Sequence, residues 1–147
     1  MASEDSAIVV ITGAGSGLGF AMIRKYLQKG MRVVAVDRDE NSLDRLRNGI
    51  PSHLQSCMIT RVLDVASQED LALLVVDVKK AWGRPYIWIN NAGVVTLGSF
   101  TKTKREDFAR VIETNLMGVV NGCRTALSVM TKPDRGIIIN MGSLNAM

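Results

Sequence analysis

The stretch AIVVITGAGSGLG, residues 7–19, decides the fold of this 147-residue chain. Its first six residues are a short apolar run that stops at a glycine, which is typical of a strand buried on both faces. A glycine-rich turn follows, and helix-forming residues continue from residue 18 to residue 30. A strand, a glycine turn and a helix in this order predict the first unit of an open α/β sheet.

The spacing of the glycines indicates which kind of phosphate-binding turn the sequence contains. The pattern G-x-G-x-x-G fails, because Leu18 and Phe20 stand where its last glycine is required. The kinase phosphate loop is excluded as well, since the sequence contains no Gly-Lys-Ser or Gly-Lys-Thr. The pattern T-G-x-x-x-G-x-G fits, and its glycines let backbone amides approach a pyrophosphate at a helix N-terminus. The cofactor-binding residues predicted in this turn are Thr12, Gly13, Ser16, Gly17, Leu18 and Gly19.

The remainder of the chain alternates strands and helices. Further strands are predicted at residues 31–37, 57–65, 86–93 and 136–141. Helices are predicted at 41–48, with Asn41 or Ser42 as the cap, at 67–83, capped by Ser67, and at 104–130, as one helix or two joined ones. This alternation predicts a doubly wound, Rossmann-like parallel sheet in a single domain, residues 1–147, with ligands at the carboxyl ends of the strands.

An acidic residue ends the second predicted strand. Asp37 lies about 20 residues beyond the glycine turn, where a carboxylate can accept hydrogen bonds from both ribose hydroxyls of a dinucleotide. It would also repel the 2′-phosphate of NADP, whereas its neighbour Arg38 could bind that phosphate. Because the glycine turn itself contains no lysine or arginine, NAD is favoured, and NADP stays open as the alternative.

Composition excludes several classes of protein. The net charge is +4 and the isoelectric point about 9.3, but basic residues are mixed with acidic ones, so we expect solvated helix faces rather than a nucleic-acid site. No apolar run could cross a bilayer, and the first residues lack a signal-peptide pattern. Two cysteines, far apart in the sequence, are typical of reduced thiols, so we expect a cytoplasmic protein with no metal site.

Three motifs together resemble one known family. The sequences TGAGSGLG at residues 12–19, LDV at 63–65 and NNAG at 90–93 resemble the compact, single-domain short-chain dehydrogenases/reductases. The resemblance covers nearly the whole chain and implies an NAD(P)-dependent oxidoreductase. It implies that Asp64 meets the edge of the adenine and that Val65 lies against the ring. It also implies that Asn90 joins the central strands, and that the cofactor near its ribose is lined by Asn91, Ala92 and Gly93.

Two catalytic positions follow from the same resemblance. The segment ETNLMG resembles the family's helix with an active-site asparagine, here Asn115, which holds a water that relays protons to a catalytic lysine. The segment INMGS implies that Ser143 positions the substrate's carbonyl or hydroxyl. The family's Tyr-x-x-x-Lys motif does not occur, because Tyr26 is followed by Gly30 and Tyr86 by Asn90 at the fourth position.

The missing motif leaves two interpretations of function. In the first, the chain is the front part of a dehydrogenase, cut after the fifth strand as a fragment, a truncated gene model or a splice product. It would then serve hydride transfer between the nicotinamide and a carbonyl or secondary alcohol, with a homo-oligomer expected for the full-length enzyme. In the second, the chain is a non-catalytic dinucleotide-binding or partner-binding protein. A sugar-nucleotide epimerase is a weaker third option, and the sequence identifies no substrate.

The fifth predicted strand leads to an expectation about the stability of the chain. A fifth strand with no neighbour on its outer side exposes apolar side chains and unpaired backbone groups. We therefore expect the isolated chain to be marginally stable, and to aggregate or to need a partner that covers this strand.

Overall fold

The structure, a computed structural model, describes residues 7–130 and 136–143, which form a five-stranded parallel sheet with helices on both faces. The predicted doubly wound, Rossmann-like fold is confirmed, and the predicted domain of residues 1–147 extends beyond the described ranges. The strands are β1, Ile8–Thr12; β2, Arg32–Asp37; β3, Met58–Val62; β4, Ile87–Asn90; and β5, Ile137–Asn140. The helices are α1, Gly17–Gln28; α2, Glu40–Asn48; α3, Ser52–Gln55; α4, Gln68–Ala81; α5, Arg105–Ile112; and α6, Gly118–Val129.

The strand order is β3-β2-β1-β4-β5, so the direction of winding reverses between β1 and β4. Alternate residues of each strand face opposite sides of the sheet, and each side has its own core. One core packs α1 and α2 against the sheet, with Ile11, Ile23 and Leu46 at its centre. The other packs α4 and α6 against Val10 and Trp88. Burial on both faces explains why β1, β2 and β4 are nearly continuous apolar runs, whereas β3 and β5 are only partly buried.

Several predicted boundaries were too long or misplaced. The third and fourth strands stop at Val62 and Asn90, and the residues after them form loops. The predicted caps of α2 were wrong: the N-cap is Asp39, whose carboxylate accepts a hydrogen bond from the backbone N–H of Asn41 at 3.0 Å. Helix α3 was not predicted. Ser67 caps α4 as predicted, accepting from the Asp70 N–H at 3.2 Å.

The long helix predicted at residues 104–130 contains a change of geometry. Helices α5 and α6 are joined by a π-helical turn, Glu113–Met117. Such a turn inserts one extra residue into a helix and re-aims the side chains that follow it. The sequence prediction placed one helix or two joined ones here and did not include this turn.

A polar side chain joins the last two strands. The Asn90 Nδ2 donates to Asn140 Oδ1 at 2.8 Å, and the indole Nε1 of the fully buried Trp88 donates to Asn90 Oδ1 at 2.9 Å. Helix α6 passes close to this pair, since a Cβ added at Gly122 would lie 2.0 Å from Asn90 Oδ1. Asn90 therefore ties β4 to β5, which is an outer strand of the described sheet, whereas the resemblance implied a link between central strands.

Strand β5 pairs with β4, and none of the described strands pairs with its outer side. Ile138 and Ile139 pack partly against opposite cores, but Ile137 is 44% exposed. The outer edge of β3 is also without a neighbour among the described strands, and it carries the exposed Val62. The sheet thus has two free edges that differ in which residues they present.

We predict that the 147-residue chain self-associates through β5, because an unpaired apolar strand pairs readily with another chain. Ile137→Lys should reduce this association, since a charged side chain on an edge strand opposes pairing. Val62→Lys makes a comparable change on the opposite edge and should leave association unchanged. Sedimentation velocity over a range of protein concentrations measures the effect. A monomeric native chain with a sharp unfolding transition at high temperature would contradict the prediction.

Candidate functional site

A cleft of about 370 Å³ lies at the carboxyl ends of the strands, where the winding reverses. This is the position at which open α/β sheets bind ligands. The cleft is formed by the glycine turn, the ends of β1 and β2, and the loops that follow β3 and β4. Its lining residues are Gly13, Ser16, Gly17, Leu18, Val36, Asp37, Arg38, Leu63, Asp64, Val65, Asn91, Ala92, Gly93, Val94 and Thr114.

Most of the predicted cofactor-binding residues meet in this cleft, but two do not line it: Thr12 and Gly19. Sequence reasoning missed four lining residues, namely Val36, Leu63, Val94 and Thr114. Each of the four is next in sequence to a predicted site residue, so adjacency to such a residue was the available signal. Neither Asn115 nor Ser143, the two predicted catalytic residues, lines the cleft.

The three glycines of the fitted pattern have different structural roles. A Cβ on Gly13 would lie 2.7 Å from the Ala92 Cα, and one on Gly19 would lie 2.1 Å from the Gly13 carbonyl oxygen. Gly17 has a φ of 51°, which L side chains rarely adopt, and a Cβ there would meet nothing within 4 Å. Gly13 and Gly19 are therefore fixed by packing, whereas Gly17 borders open space at the start of α1.

The hydroxyl of Thr12 connects β1 to the segment after β4. Thr12 is buried, and its Oγ1 accepts hydrogen bonds from the backbone N–H groups of Asn91 and Ala92, both at 3.0 Å. In return, the Asn91 Nδ2 donates to the carbonyls of Thr12 at 3.0 Å and Gly13 at 3.1 Å. These four bonds hold the two sides of the cleft together at the reversal point.

Asp37 is fixed by backbone donors. Its Oδ2 accepts from the Gly15 N–H at 2.9 Å, and its Oδ1 accepts from the Asp39 N–H at 3.0 Å. The carboxylate thus joins the glycine turn to the loop before α2. The next residue, Arg38, lines the same end of the cleft and is exposed.

The loop after β3 is held by local bonds and by helix packing. Asp64 Oδ1 accepts from the Ala66 N–H at 2.9 Å. Val65 is buried, and a Cβ added at Gly118 of α6 would lie 2.5 Å from Val65 Cγ2. Asp64 and Val65 consequently line the cleft from a loop that rests on α6.

Asn115 lies within the π-helical turn and bonds to the loop after β4. Its Oδ1 accepts from the Val94 N–H at 2.8 Å, and its Nδ2 donates to the Val94 carbonyl at 2.9 Å. The carboxamide thereby pairs with both backbone groups of one residue. Ser143 comes three residues after the end of β5 and is exposed.

The described part of the chain offers no group of three or more His, Cys, Asp or Glu side chains that could hold a metal ion. Among the described helices, none is long and apolar enough to pass through a bilayer.

Comparison with known proteins agrees with this architecture. The family model described as short chain dehydrogenase matches residues 7–147. The chain belongs to this family. Among relatives in this family, the uncharacterized oxidoreductase YxnA of Bacillus subtilis is 35% identical over 93% of this chain and 38% of its own. Retinol dehydrogenase 7 of Mus musculus is 33% identical over 92% of this chain and 42% of its own.

Solved short-chain dehydrogenases show the same fold. A short chain dehydrogenase/reductase from Burkholderia phymatum, in complex with NAD, has a TM-score of 0.87 at 31% identity and covers 98% of this chain and 51% of its own. Serine dehydrogenase from Escherichia coli has a TM-score of 0.82 at 31% identity, over 92% of this chain and 62% of its own. This chain therefore spans between 38% and 62% of the length of these four relatives.

We predict that Thr12→Val destabilises the chain although the two side chains have nearly the same shape. The substitution leaves the Asn91 and Ala92 N–H groups without their acceptor. Two fully buried donors left unpaired would cost about 2–6 kcal/mol, at about 1–3 kcal/mol each. Because these two are only partly buried, the free energy of unfolding should fall by about 2–4 kcal/mol, the lower part of that range. Thr12→Ser keeps the hydroxyl and should lose only about 1 kcal/mol, for one methyl group. Urea unfolding measures the free energy of unfolding of both variants and of the native chain. Equal losses in Thr12→Val and Thr12→Ser would contradict the role given to the hydroxyl.

Proposed function

We propose that this chain binds a nicotinamide dinucleotide, NAD in preference to NADP. Its role is that of the cofactor-binding part of an enzyme that transfers hydride between the nicotinamide and a carbonyl or secondary alcohol. One observation carries the proposal: the glycine turn, Asp37 and the loop with Asp64 converge on one cleft at the reversal point of the sheet. Family membership and the Burkholderia phymatum relative in complex with NAD support it.

The residues present fit such a cofactor. A cleft of about 370 Å³ is within the usual range for ligand sites. The first N–H groups of α1 lack partners within the helix, as at every helix N-terminus, and the Ser16 side chain makes no capping bond. Because Gly17 borders open space, a pyrophosphate can approach these amides without meeting a side chain at position 17. The N-terminal end of the helix dipole favours its negative charge.

Asp37 supports the preference for NAD. A carboxylate has about four acceptor positions, and the two bonds from Gly15 and Asp39 use one on each oxygen. One acceptor therefore remains on each oxygen, which suits the two hydroxyls of a ribose. The same two bonds prevent Asp37 from turning away, so a 2′-phosphate would face a fixed negative charge. Arg38, which is exposed, can point into solvent.

The other predicted residues have these proposed roles. Asp64 and Val65 bind the adenine, and residues 91–93 line the cofactor near its ribose. Asn115 holds the loop after β4 through Val94. Ser143 orients the substrate oxygen. The cofactor, when bound, would donate hydride to a carbonyl in its reduced form or accept hydride from a secondary alcohol in its oxidised form.

Turnover in this family, as the resemblance implies, needs a Tyr-x-x-x-Lys motif that the chain does not contain. The 147 residues alone are therefore expected to bind NADH without catalysing hydride transfer. NADH titration, followed by nicotinamide fluorescence, tests the binding, and the absence of saturable binding would overturn the proposal. Binding without turnover also fits the non-catalytic alternative. A longer natural transcript that encodes the motif would decide for the enzyme.

We also propose where the protein is located and how it assembles. We propose a cytoplasmic protein, supported by the two cysteines, both of which are free thiols. We propose a homo-oligomer for the full-length enzyme, supported by apolar side chains exposed along α5, the π-helical turn and α6, namely Ile112, Leu116 and Val120.

The first prediction of this proposal concerns cofactor choice. Asp37→Ala should reduce the preference for NAD over NADP by about tenfold or more, because one charge facing a phosphate is worth more than the 1.4 kcal/mol that a factor of ten represents. Asp44→Ala removes the same charge from an exposed position of α2 and should leave the preference unchanged. Parallel titrations with NADH and NADPH give both ratios. Tighter binding of NADPH by the native chain would reject the assignment.

The second prediction concerns the glycine turn. Gly19→Val should abolish cofactor binding while α1 stays formed, because its Cβ would lie 2.1 Å from the Gly13 carbonyl oxygen and the turn must shift. Ala21→Val places valine at an exposed position of the same helix and should leave binding intact. NADH titration with far-ultraviolet circular dichroism separates binding from helix content. Native affinity in the Gly19 variant would place the cofactor elsewhere.

A further inference from the structure

Helix α6 packs against a segment that lines the cleft, although none of its own residues lines the cleft. The residues buried on this helix are small or polar: Gly118, Asn121, Gly122, Thr125 and Ala126. Buried polar side chains need hydrogen-bond partners, so the partners of Asn121 and Thr125 show what this face contacts. The two residues bond to different segments.

Asn121 bonds to the loop that carries the adenine-side residues. It is 6% exposed, and its Nδ2 donates to the carbonyl oxygens of Val65 at 3.1 Å and Ala66 at 3.0 Å. The carboxamide thus uses both N–H groups on consecutive residues of one loop. Because Gly118 lies against Val65 one turn earlier, the helix also fixes how close that loop can come.

The other bonds within residues 64–67 are local, and the residues on either side have partners elsewhere: the Leu63 N–H donates to the Asp37 carbonyl at 3.0 Å and Gln68 bonds to Thr125. Asp64 accepts from the Ala66 N–H at 2.9 Å through its side chain and from the Ser67 N–H at 3.0 Å through its carbonyl. These bonds shape the turn but do not fix where it sits relative to the cleft. The two bonds from Asn121 come from a residue more than fifty positions away, and they join the middle of the loop, Val65 and Ala66, to α6.

We propose that Asn121 is a positioning residue for the adenine end of the cleft. Its two hydrogen bonds hold the loop of residues 64–67 where Asp64 and Val65 can line the cofactor site. The inference rests on the proposed function for its adenine ligand, and it adds a residue that does not line the cleft.

The same segment of chain also holds the other side of the cleft. Asn115, six positions earlier, bonds to both backbone groups of Val94 in the loop after β4. The π-helical turn and the start of α6 therefore support two of the loops that line the cleft.

Thr125 provides the matched control. Its Oγ1 accepts from Gln68 Nε2 at 3.0 Å, which is a bond from the same face of α6 to the first residue of α4. Thr125→Val removes this bond and leaves the carbonyls of Val65 and Ala66 untouched. Variants at both positions would share any general loss of stability. Only variants of Asn121 should change the position of the loop of residues 64–67.

The experiment compares Asn121→Asp, Asn121→Ala and Thr125→Val with the native 147-residue chain, using ADP as the probe. Asn121→Asp replaces a donor with an acceptor that faces two carbonyl oxygens. Both Asn121 variants should bind ADP about tenfold more weakly, a factor equal to 1.4 kcal/mol and to roughly one lost hydrogen bond. Thr125→Val should bind ADP like the native chain. If Asn121→Asp does not fold, Asn121→Ala decides.

Amide hydrogen exchange without ligand is the second measurement. The N–H groups of Ala66 and Ser67 should exchange faster in the Asn121 variants and at the native rate in Thr125→Val. If the Asn121 and Thr125 variants agree in ADP affinity and in exchange, the role of Asn121 is merely structural and the inference is overturned. Failure of the native chain to bind ADP would overturn the proposed function, and the exchange rates would still decide whether Asn121 sets the loop.

Discussion

The buried hydroxyl of Thr12 is the interaction on which the site depends. An open sheet that winds in both directions forms a crevice beyond the carboxyl ends of its strands where the winding reverses, here past the ends of the paired strands β1 and β4. By accepting two N–H groups from the segment after β4, Thr12 ties that segment to the end of β1. The glycine turn begins at the next residue, so the position of the turn follows from the same contact. Together with the two bonds from Asn91 Nδ2, this contact holds the turn and residues 91–93 beside the same cleft.

Much of the fold could be predicted from the sequence, because β1, β2 and β4, which are buried on both faces, are plain apolar runs, and a helix follows each of the first four strands. The residues at the strand ends, such as Asp37 and Asp64, were also identifiable. Their positions in the cleft follow from the parallel sheet, which gathers all strand ends at one edge. Their chemical roles remain predictions.

The features that could not be predicted depend on contacts between distant segments. The role of Asn121 required knowing that α6 crosses behind the loop after β3. The cap of α2 was misassigned because Asp39, Asn41 and Ser42 are all good capping residues, and only the bond to the Asn41 N–H selects Asp39. Adjacency in sequence could have suggested Val94 and Thr114, but their exposure to the cleft is a property of the folded loops.

The indole of Trp88 has a practical consequence. It is completely buried, and its N–H is bonded to Asn90, which in turn holds Asn140 of β5. The other tryptophan, Trp82, is only partly buried and lies 5.8 Å from the guanidinium carbon of Arg32. Detachment of β5 would break the hydrogen bond between Asn140 and Asn90. It would also admit water beside the Trp88 indole, which bonds to Asn90. The wavelength of its emission is therefore a label-free signal of whether the last strand is docked, even while the rest of the sheet stays folded.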